Sequence, residues 1–368
     1  MRYQNKSKQK GVAIIIAMMI SAVVVALSVK ASWQFELGIS RSANGWLAIE
    51  QDVALSAVED YARWLLKADL QNPDTQEVDS LSQLAEANAI LQLEPTEGVF
   101  ATGLLEDAHA RLNLNNLQRK QNTSTNNGAG GNGNNIAAAA GTVLFTPEQK
   151  MLIRLLQTVE LEPALFLQEF EATAIVESLI DYLDTDNAPT GFGGAEEDYY
   201  ASLDPPLVIA NRKMLSISEF LLIKGVTPIL YKALLPFVTV LPEDTLLNVN
   251  TMPIELMRAI NDDSILQPQP FEALQSIALD RPLEGYNDVT EFLESPGMST
   301  ILTQNQQGQQ NQQGNTPSGS TAAMFTVKSD YFFLFGQVQL GEHIGRSRVM
   351  LKRVEDNVQV LRRSDANF

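Results

Sequence analysis

Between positions 181 and 198 the chain supplies six carboxylates, Asp181, Asp184, Asp186, Glu196, Glu197 and Asp198, and no basic residue. Negative groups set so close together repel one another unless a cation intervenes. Oxygen donors without histidine or cysteine suit Ca²⁺, a hard cation that takes roughly six to eight oxygens in a flexible shell. The segment is a poor EF-hand: counting from Asp184, the fifth position is Ala188 and the sixth is Pro189, where that loop requires glycine. A solvated acidic loop with no metal is the plain alternative. Paired acids also serve glycoside or metal-assisted hydrolysis. Nothing else in the chain supports that: there is no serine-nucleophile signature, glycine-rich phosphate loop or zinc-spaced cluster. The two histidines, His109 and His343, fall in separate strand-like regions and read as surface or sheet-edge residues.

The elements that must hold this loop are helical. Pro147-Glu148-Gln149-Lys150 opens one helix, and residues 175–182 end another at the acidic loop. Helical segments follow at 216–223, 228–237, 253–261, 270–278 and 289–294. On either side of this block the pattern changes. Residues 99–114, 331–340, 347–355 and 357–363 are rich in aromatic and β-branched types with period-two alternation, which predicts strands. Two low-complexity tracts, 118–141 and 303–321, lack apolar periodicity. Strands flanking a helical block predict one sheet domain interrupted by an insertion, which costs little loop-closure entropy if its two ends adjoin.

The N-terminus carries Arg2, Lys6, Lys8, Lys10 and Gly11, then eighteen uncharged residues at 12–29. As a helix that run spans roughly 27 Å, close to the hydrocarbon core of a bilayer. It exceeds the apolar region of a secretion signal, about 7–15 residues, and ends at Lys30 and Trp33, which suit a membrane interface. The basic flank predicts a cytoplasmic N-terminus and an external body. Further on, Trp46, Ile49, Val53, Ala57, Tyr61 and Leu65 recur at three- and four-residue spacing among acidic residues. That continues the helix, now amphipathic, to about residue 70, with Gly38 and Gly45 as places where it could bend. A simple anchor needs no such extension; lateral packing against other helices explains it.

Composition narrows the partners. Acidic residues outnumber basic ones 44 to 26, for a net charge of −18. Removing the basic stub would leave about 22 basic groups, so long-range electrostatics oppose nucleic-acid binding. With no cysteine, disulfides and thiolate metal sites are excluded. Residues 222–228 with 230–235, and 248–253, locally suggest the helix-hairpin-helix of DNA-binding competence proteins. The second glycine of that turn is missing, however, and Pro228 removes an amide donor. These hairpins read as packing elements. A generic membrane-anchored periplasmic interaction protein is the other alternative.

A family resemblance rests on several stretches. Lys10-Gly11 followed by Val12-Ala13-Ile14-Ile15-Ile16-Ala17 resembles the class III signal of type IV pilins and pseudopilins. Asp107-Ala108-His109-Ala110-Arg111-Leu112-Asn113-Leu114-Asn115-Asn116-Leu117 is similar to the D-x-x-G-R-(F/L)-N-L-N-N-L stretch of the type II secretion minor pseudopilin K family, with Ala110 at the small position. Asp181-Tyr182-Leu183-Asp184-Thr185-Asp186, Glu196-Glu197-Asp198, Pro205-Pro206, Ser218-Glu219-Phe220, Lys224-Gly225-Val226-Thr227 and Asn248-Val249-Asn250-Thr251 follow in that family's order. The likeness covers nearly the whole chain.

The resemblance implies cleavage by a prepilin peptidase between Gly11 and Val12, methylation of the new N-terminus and retention of the apolar helix. Mature position five would be Ile16, where most pilin-like proteins have glutamate. A carboxylate inside the bilayer needs a partner, in these assemblies the amine of the subunit above. Isoleucine suits a subunit with nothing above it. The resemblance further implies structural calcium at the acidic loop, commonly two ions. Its ligands would be Asp181, Asp184, Asp186, Glu196, Glu197 and Asp198, with Asn211 giving a carbonyl oxygen. Implied partners are minor pseudopilins I and J, with the major pseudopilin, the secretin, exported substrates and inner-membrane lipid as further contacts, and no nucleic acid.

The expected fold is α+β: a pilin-like N-terminal helix packed on a small antiparallel sheet, with a large helical domain of SAM-like or helix-hairpin-helix type inserted in it. The expected divisions are a leader at 1–11, a membrane helix at 12–30 and its periplasmic continuation at 31–70. An α/β domain follows from 71–118 and 322–368, with linkers at 119–141 and 303–321 around an inserted helical domain at 142–302.

Overall fold

A computed structural model describes residues 10–73, 75–118, 145–272, 275, 277, 281–304 and 322–365. Most of the expected leader, nearly all of both linkers and part of the helix expected at 270–278 lie outside them. Helix α1 runs unbroken over Lys10–Leu70, 61 residues, or roughly 90 Å. Gly38 and Gly45 stay within it. Its apolar first part is long enough to cross a membrane, and none of that window is buried against the rest of the chain.

After α1, the short helix α2 (Leu81–Ile90) starts at Ser80, whose hydroxyl accepts from the Gln83 amide while the Gln83 side chain accepts from the Ser80 amide. A five-stranded sheet follows: β1 (Gln92–Thr96), β2 (Val99–Asp107), β3 (Tyr331–Leu340), β4 (His343–Val354) and β5 (Asn357–Asp365). The strands lie in that order, each antiparallel to its neighbour. Asp107 at the end of β2 faces Phe332 at the start of β3, so the chain leaves and re-enters the sheet at adjacent positions. This is the closure that makes a large insertion inexpensive.

Alternation in β3 divides its residues between two faces. Phe332, Leu334 and Val338 pack with Ala54, Val58, Ala62 and Leu66 of α1, while Tyr331 and Phe333 face the other side with Leu241. Close approach of helix and sheet depends on glycine: a Cβ on Gly103 would sit 2.8 Å from Val58 Cγ1, and one on Gly336 3.1 Å from Leu55 Cδ2.

The stripe Trp46, Ile49 and Val53, expected to pack laterally on other helices, is turned away from the sheet and exposed, at 73%, 59% and 63%. The smaller neighbours Ala54, Val58 and Ala62 are buried instead, because only short side chains let the helix lie on the glycine positions. The strand expected at 99–114 stops at Asp107. There the carboxylate accepts from the His109 amide and winds Ala108–Ala110 into a 3-10 turn. His109 is consequently buried against the Tyr331 ring rather than at the surface, whereas His343 is exposed at the start of β4.

Between β2 and β3 stand the helices α3 (Pro147–Leu156), α4 (Glu169–Leu183), α5 (Glu197–Ala201), α6 (Pro228–Leu234), α7 (Ile254–Met257), α8 (Val289–Glu294) and α9 (Pro296–Gln304). Residues 216–223, expected as α-helix, form a 3-10 helix over Ile217–Leu222. The hairpin glycine Gly225 has φ +88°, and a Cβ there would meet Ile175 at 2.9 Å. The turn is thus fitted against α4.

Polar motifs splice the two domains. Asn113, Asn115 and Asn116 are buried, and their amides exchange hydrogen bonds with the backbone of Met214, Leu241 and Thr245. Asn248 donates to Asp107 Oδ2, which also accepts from Thr251 and Ser329. Alongside, Arg353 bridges Asp79 and Asp69 at 2.7 and 2.5 Å. Burial pushes the Asp79 carboxyl up to about 6, against the pull of Arg353. Buried polar groups must be paired, so these asparagines hold the insertion in one orientation.

Candidate metal centre

The acidic loop begins where α4 ends. That last turn carries Asp181 and the C-cap residue Asp184 and no basic side chain, so carboxylates add to the negative end of the helix dipole. Asp181 is fully buried. Its two oxygens accept from the Thr190 and Ala195 amides at 2.9 and 2.7 Å, folding the loop back onto α4. One turn earlier Glu177, also buried, accepts from the Gly193 amide at 2.6 Å. Burial pushes both carboxyls up, opposed by these amide donors. The loop lies so near α4 that a Cβ at Gly193 would come within 2.3 Å of Ala174 Cα, and one at Gly194 within 2.4 Å of Asp181 Oδ2.

Folded this way, the loop brings Asp184, Asp186 and Glu196 together: one carboxylate oxygen from each lies within 4.8 Å of the others. Asp184 and Glu196 are buried and Asp186 is exposed. At such a separation and an effective dielectric near 20, two carboxylates repel by about 3 kcal/mol. Asn211 joins the loop by donating to Asn187 at 3.1 Å. Its own side-chain oxygen is buried with no hydrogen-bond donor. An all-oxygen set of three converging carboxylates fits Ca²⁺.

Of the residues expected to bind metal, the structure therefore brings together Asp184, Asp186 and Glu196. Asp181 serves as the loop's anchor, and Glu197 and Asp198 sit exposed in the first turn of α5. Glu177 was not expected. Its spacing of four from Asp181 and seven from Asp184 puts all three on one helix face, the signal that could have found it. Gly11, Val12 and Ile16 all lie on the exposed apolar part of α1.

A long helix, apolar then one-sided, laid on an antiparallel meander with a helical domain between two strands, defines a pilin-like α+β subunit. Family models described as "Type II secretion system (T2SS), protein K" match residues 110–243 and 247–311. The type II secretion system protein K of Pectobacterium carotovorum is 25% identical over 371 residues, covering 99% of this chain and 98% of that one. A putative type II secretion system protein K of Escherichia coli K12 is 30% identical over 295 residues, 78% and 79% of the two chains. In the crystal structure of the GspK-GspI-GspJ complex from enterotoxigenic Escherichia coli, one chain superposes with a TM-score of 0.67 at 21% identity, covering 89% of this chain and 100% of that one. The chain belongs to the type II secretion system protein K family, and it is a minor pseudopilin of that system.

Proposed function

We propose that this protein occupies the tip of the type II secretion pseudopilus, anchored in the inner membrane before assembly and joined there to minor pseudopilins I and J. The observation that carries this reading is the uncovered apolar face of α1. Phe35, Ile39, Trp46, Ile49 and Val53 are all exposed, and at about 100° per residue they share a sector of roughly 80°, turned away from the sheet. A helix that only anchored would not keep such a face beyond the membrane. The I and J partners of the kind named in the enterotoxigenic complex would cover it.

The tip position follows from two further features. Ile16 lacks the carboxylate that would seek an amine above it, and the helical insertion adds bulk to the far end. Ca²⁺ held by Asp184, Asp186 and Glu196, with Asn211 supplying an oxygen, would neutralise a loop otherwise too negative to close. Its role is structural. Prepilin peptidase would cut between Gly11 and Val12, leaving the helix in place and the body in the periplasm.

Co-purification of the chain from about residue 35 with the I and J partners, with and without chelator, tests the reading. A stable complex whose yield falls on chelation is expected; no complex under either condition would overturn it. Replacing Gly11 should leave the leader uncut, and glutamate at Ile16 should weaken tip assembly.

A further inference from the structure

The face of the sheet opposite α1 carries a groove where the helical insertion meets β3 to β5. Its cavity volume is about 520 Å³, within the range of about 300–1,000 Å³ that admits a ligand or several side chains. Leu215, Leu235 and Val240 form the wall on the insertion side; Phe333 and Met350 form the floor on the sheet side. The charge of this groove is opposite to that of the protein. Arg348, Arg362 and Lys232 line it, and none of the described lining residues is acidic, in a chain of net charge −18.

The arginines are held in place. The Arg348 guanidinium lies over the rings of Phe333 and Phe335, 4.4 and 5.1 Å from their centroids. Arg362 donates to the Leu215 carbonyl at 3.0 Å, across the boundary between the sheet and the insertion. Burial first, then the neighbouring guanidinium groups of Arg111 and Arg362, push the Arg348 pKa down, opposed by the nearby Glu106 carboxylate. Three cationic side chains are thus gathered here beside apolar walls. Planar guanidinium forks, one preorganised on aromatic rings and the other by a backbone carbonyl, suit carboxylates.

We propose that this groove binds an acidic, partly apolar peptide segment of a protein partner, with carboxylates on Arg348 and Arg362 and an apolar side chain between Leu235 and Phe333. A membrane surface is the less suitable occupant. The sheet packs on α1 around residue 58, about 29 residues past the end of the apolar run, so the groove stands roughly 40 Å along the helix from the bilayer. The groove lies on the side of the sheet away from α1 and its exposed stripe.

The chain has no cysteine, so Ser218→Cys in the groove wall gives a single labelling site for an environment-sensitive fluorophore on the full chain in detergent micelles. The probe is a short synthetic peptide alternating glutamate with leucine and phenylalanine; its lysine counterpart is the control. The acidic peptide should saturate the signal. Binding should weaken several-fold between about 50 and 500 mM salt. It should also weaken at least about tenfold in Arg362→Glu combined with Lys232→Glu, a loss of about 1.4 kcal/mol. Arg362→Gln, checked by thermal unfolding, serves if the reversal disturbs folding. Equal binding of the lysine peptide, or unchanged affinity in both variants, would overturn the proposal. So would binding only to anionic phosphatidylglycerol vesicles, or self-association in ultracentrifugation that the acidic peptide does not compete with.

Discussion

Gly103→Ala tests whether α1 is seated on the sheet by close backbone approach. The added methyl would lie 2.8 Å from Val58 Cγ1, 3.3 Å from Leu334 Cδ1 and 3.4 Å from Leu91 Cβ. Val58 is fully buried, and a β-branched residue in a helix has one strongly preferred rotamer, so it cannot swing aside. Overpacking of this kind costs about 1–3 kcal/mol. The lower entropy of the unfolded alanine chain offsets about 0.4–1 of that, leaving a net loss of about 1–2 kcal/mol. Val58→Ala alone removes two methyl-sized groups and opens a cavity, for a loss of about 2 kcal/mol. In the double variant the new methyl fills part of the vacated space, so the combined loss should stay near 2 kcal/mol. The coupling between the two sites is then about 1–2 kcal/mol. Urea unfolding of the chain from about residue 35, followed by the fluorescence of Trp46 and Trp64 in α1, would measure it. Strictly additive losses would refute the argument.

Other outcomes follow from the same structure. Ca²⁺ at about a hundred times its dissociation constant should stabilise the protein by about 2.7 kcal/mol; an unchanged thermal shift in Asp184→Asn with Glu196→Gln would remove the metal assignment. The Asp79 carboxyl, raised from 3.8 to about 6, binds its proton more tightly in the native state. Its contribution is therefore gained as pH falls through 6 and is complete below 3.8. Wild type should gain about 3 kcal/mol relative to Asp79→Asn between pH 7 and pH 3.5, and a flat difference across that range would contradict this. Arg353→Met leaves Asp79 buried without its main partner and should cost about 3–5 kcal/mol. Arg363→Ala removes both hydrogen bonds to Glu59, whose carboxylate is buried although the arginine itself is 65% exposed, and should cost about 1–3 kcal/mol in the same urea titration.

Elements with a strong local signal were legible without coordinates. Strand β3 occupies the predicted 331–340 because YFFLFGQVQL is rich in aromatic residues and its second half alternates apolar with polar. Pro147 after Thr146 marks the start of α3, where the Thr146 hydroxyl accepts from the Gln149 amide. Helix α2 offers only the Ser80-x-x-Gln83 capping box as a start signal, and strand β1 offers none. The former buries none of its side chains and the latter includes Pro95, so neither shows the apolar period on which a prediction depends.

The amino-acid sequence alone determined that an apolar helix extends past membrane length, that strands flank a helical insertion, and that six carboxylates fall within eighteen residues. Each is a property of neighbouring residues: periodicity, composition or charge spacing. Tertiary structure alone decided that α1 presents Val58, and not Trp46 or Val53, to the sheet. Only folding could show that Asp181 and Glu177 anchor the loop while Asp184, Asp186 and Glu196 converge. The same holds for the buried asparagines, whose partners lie about a hundred or more residues away. Local pattern tells a chain which groups need partners; which partner each one finds depends on the packing of segments distant in sequence.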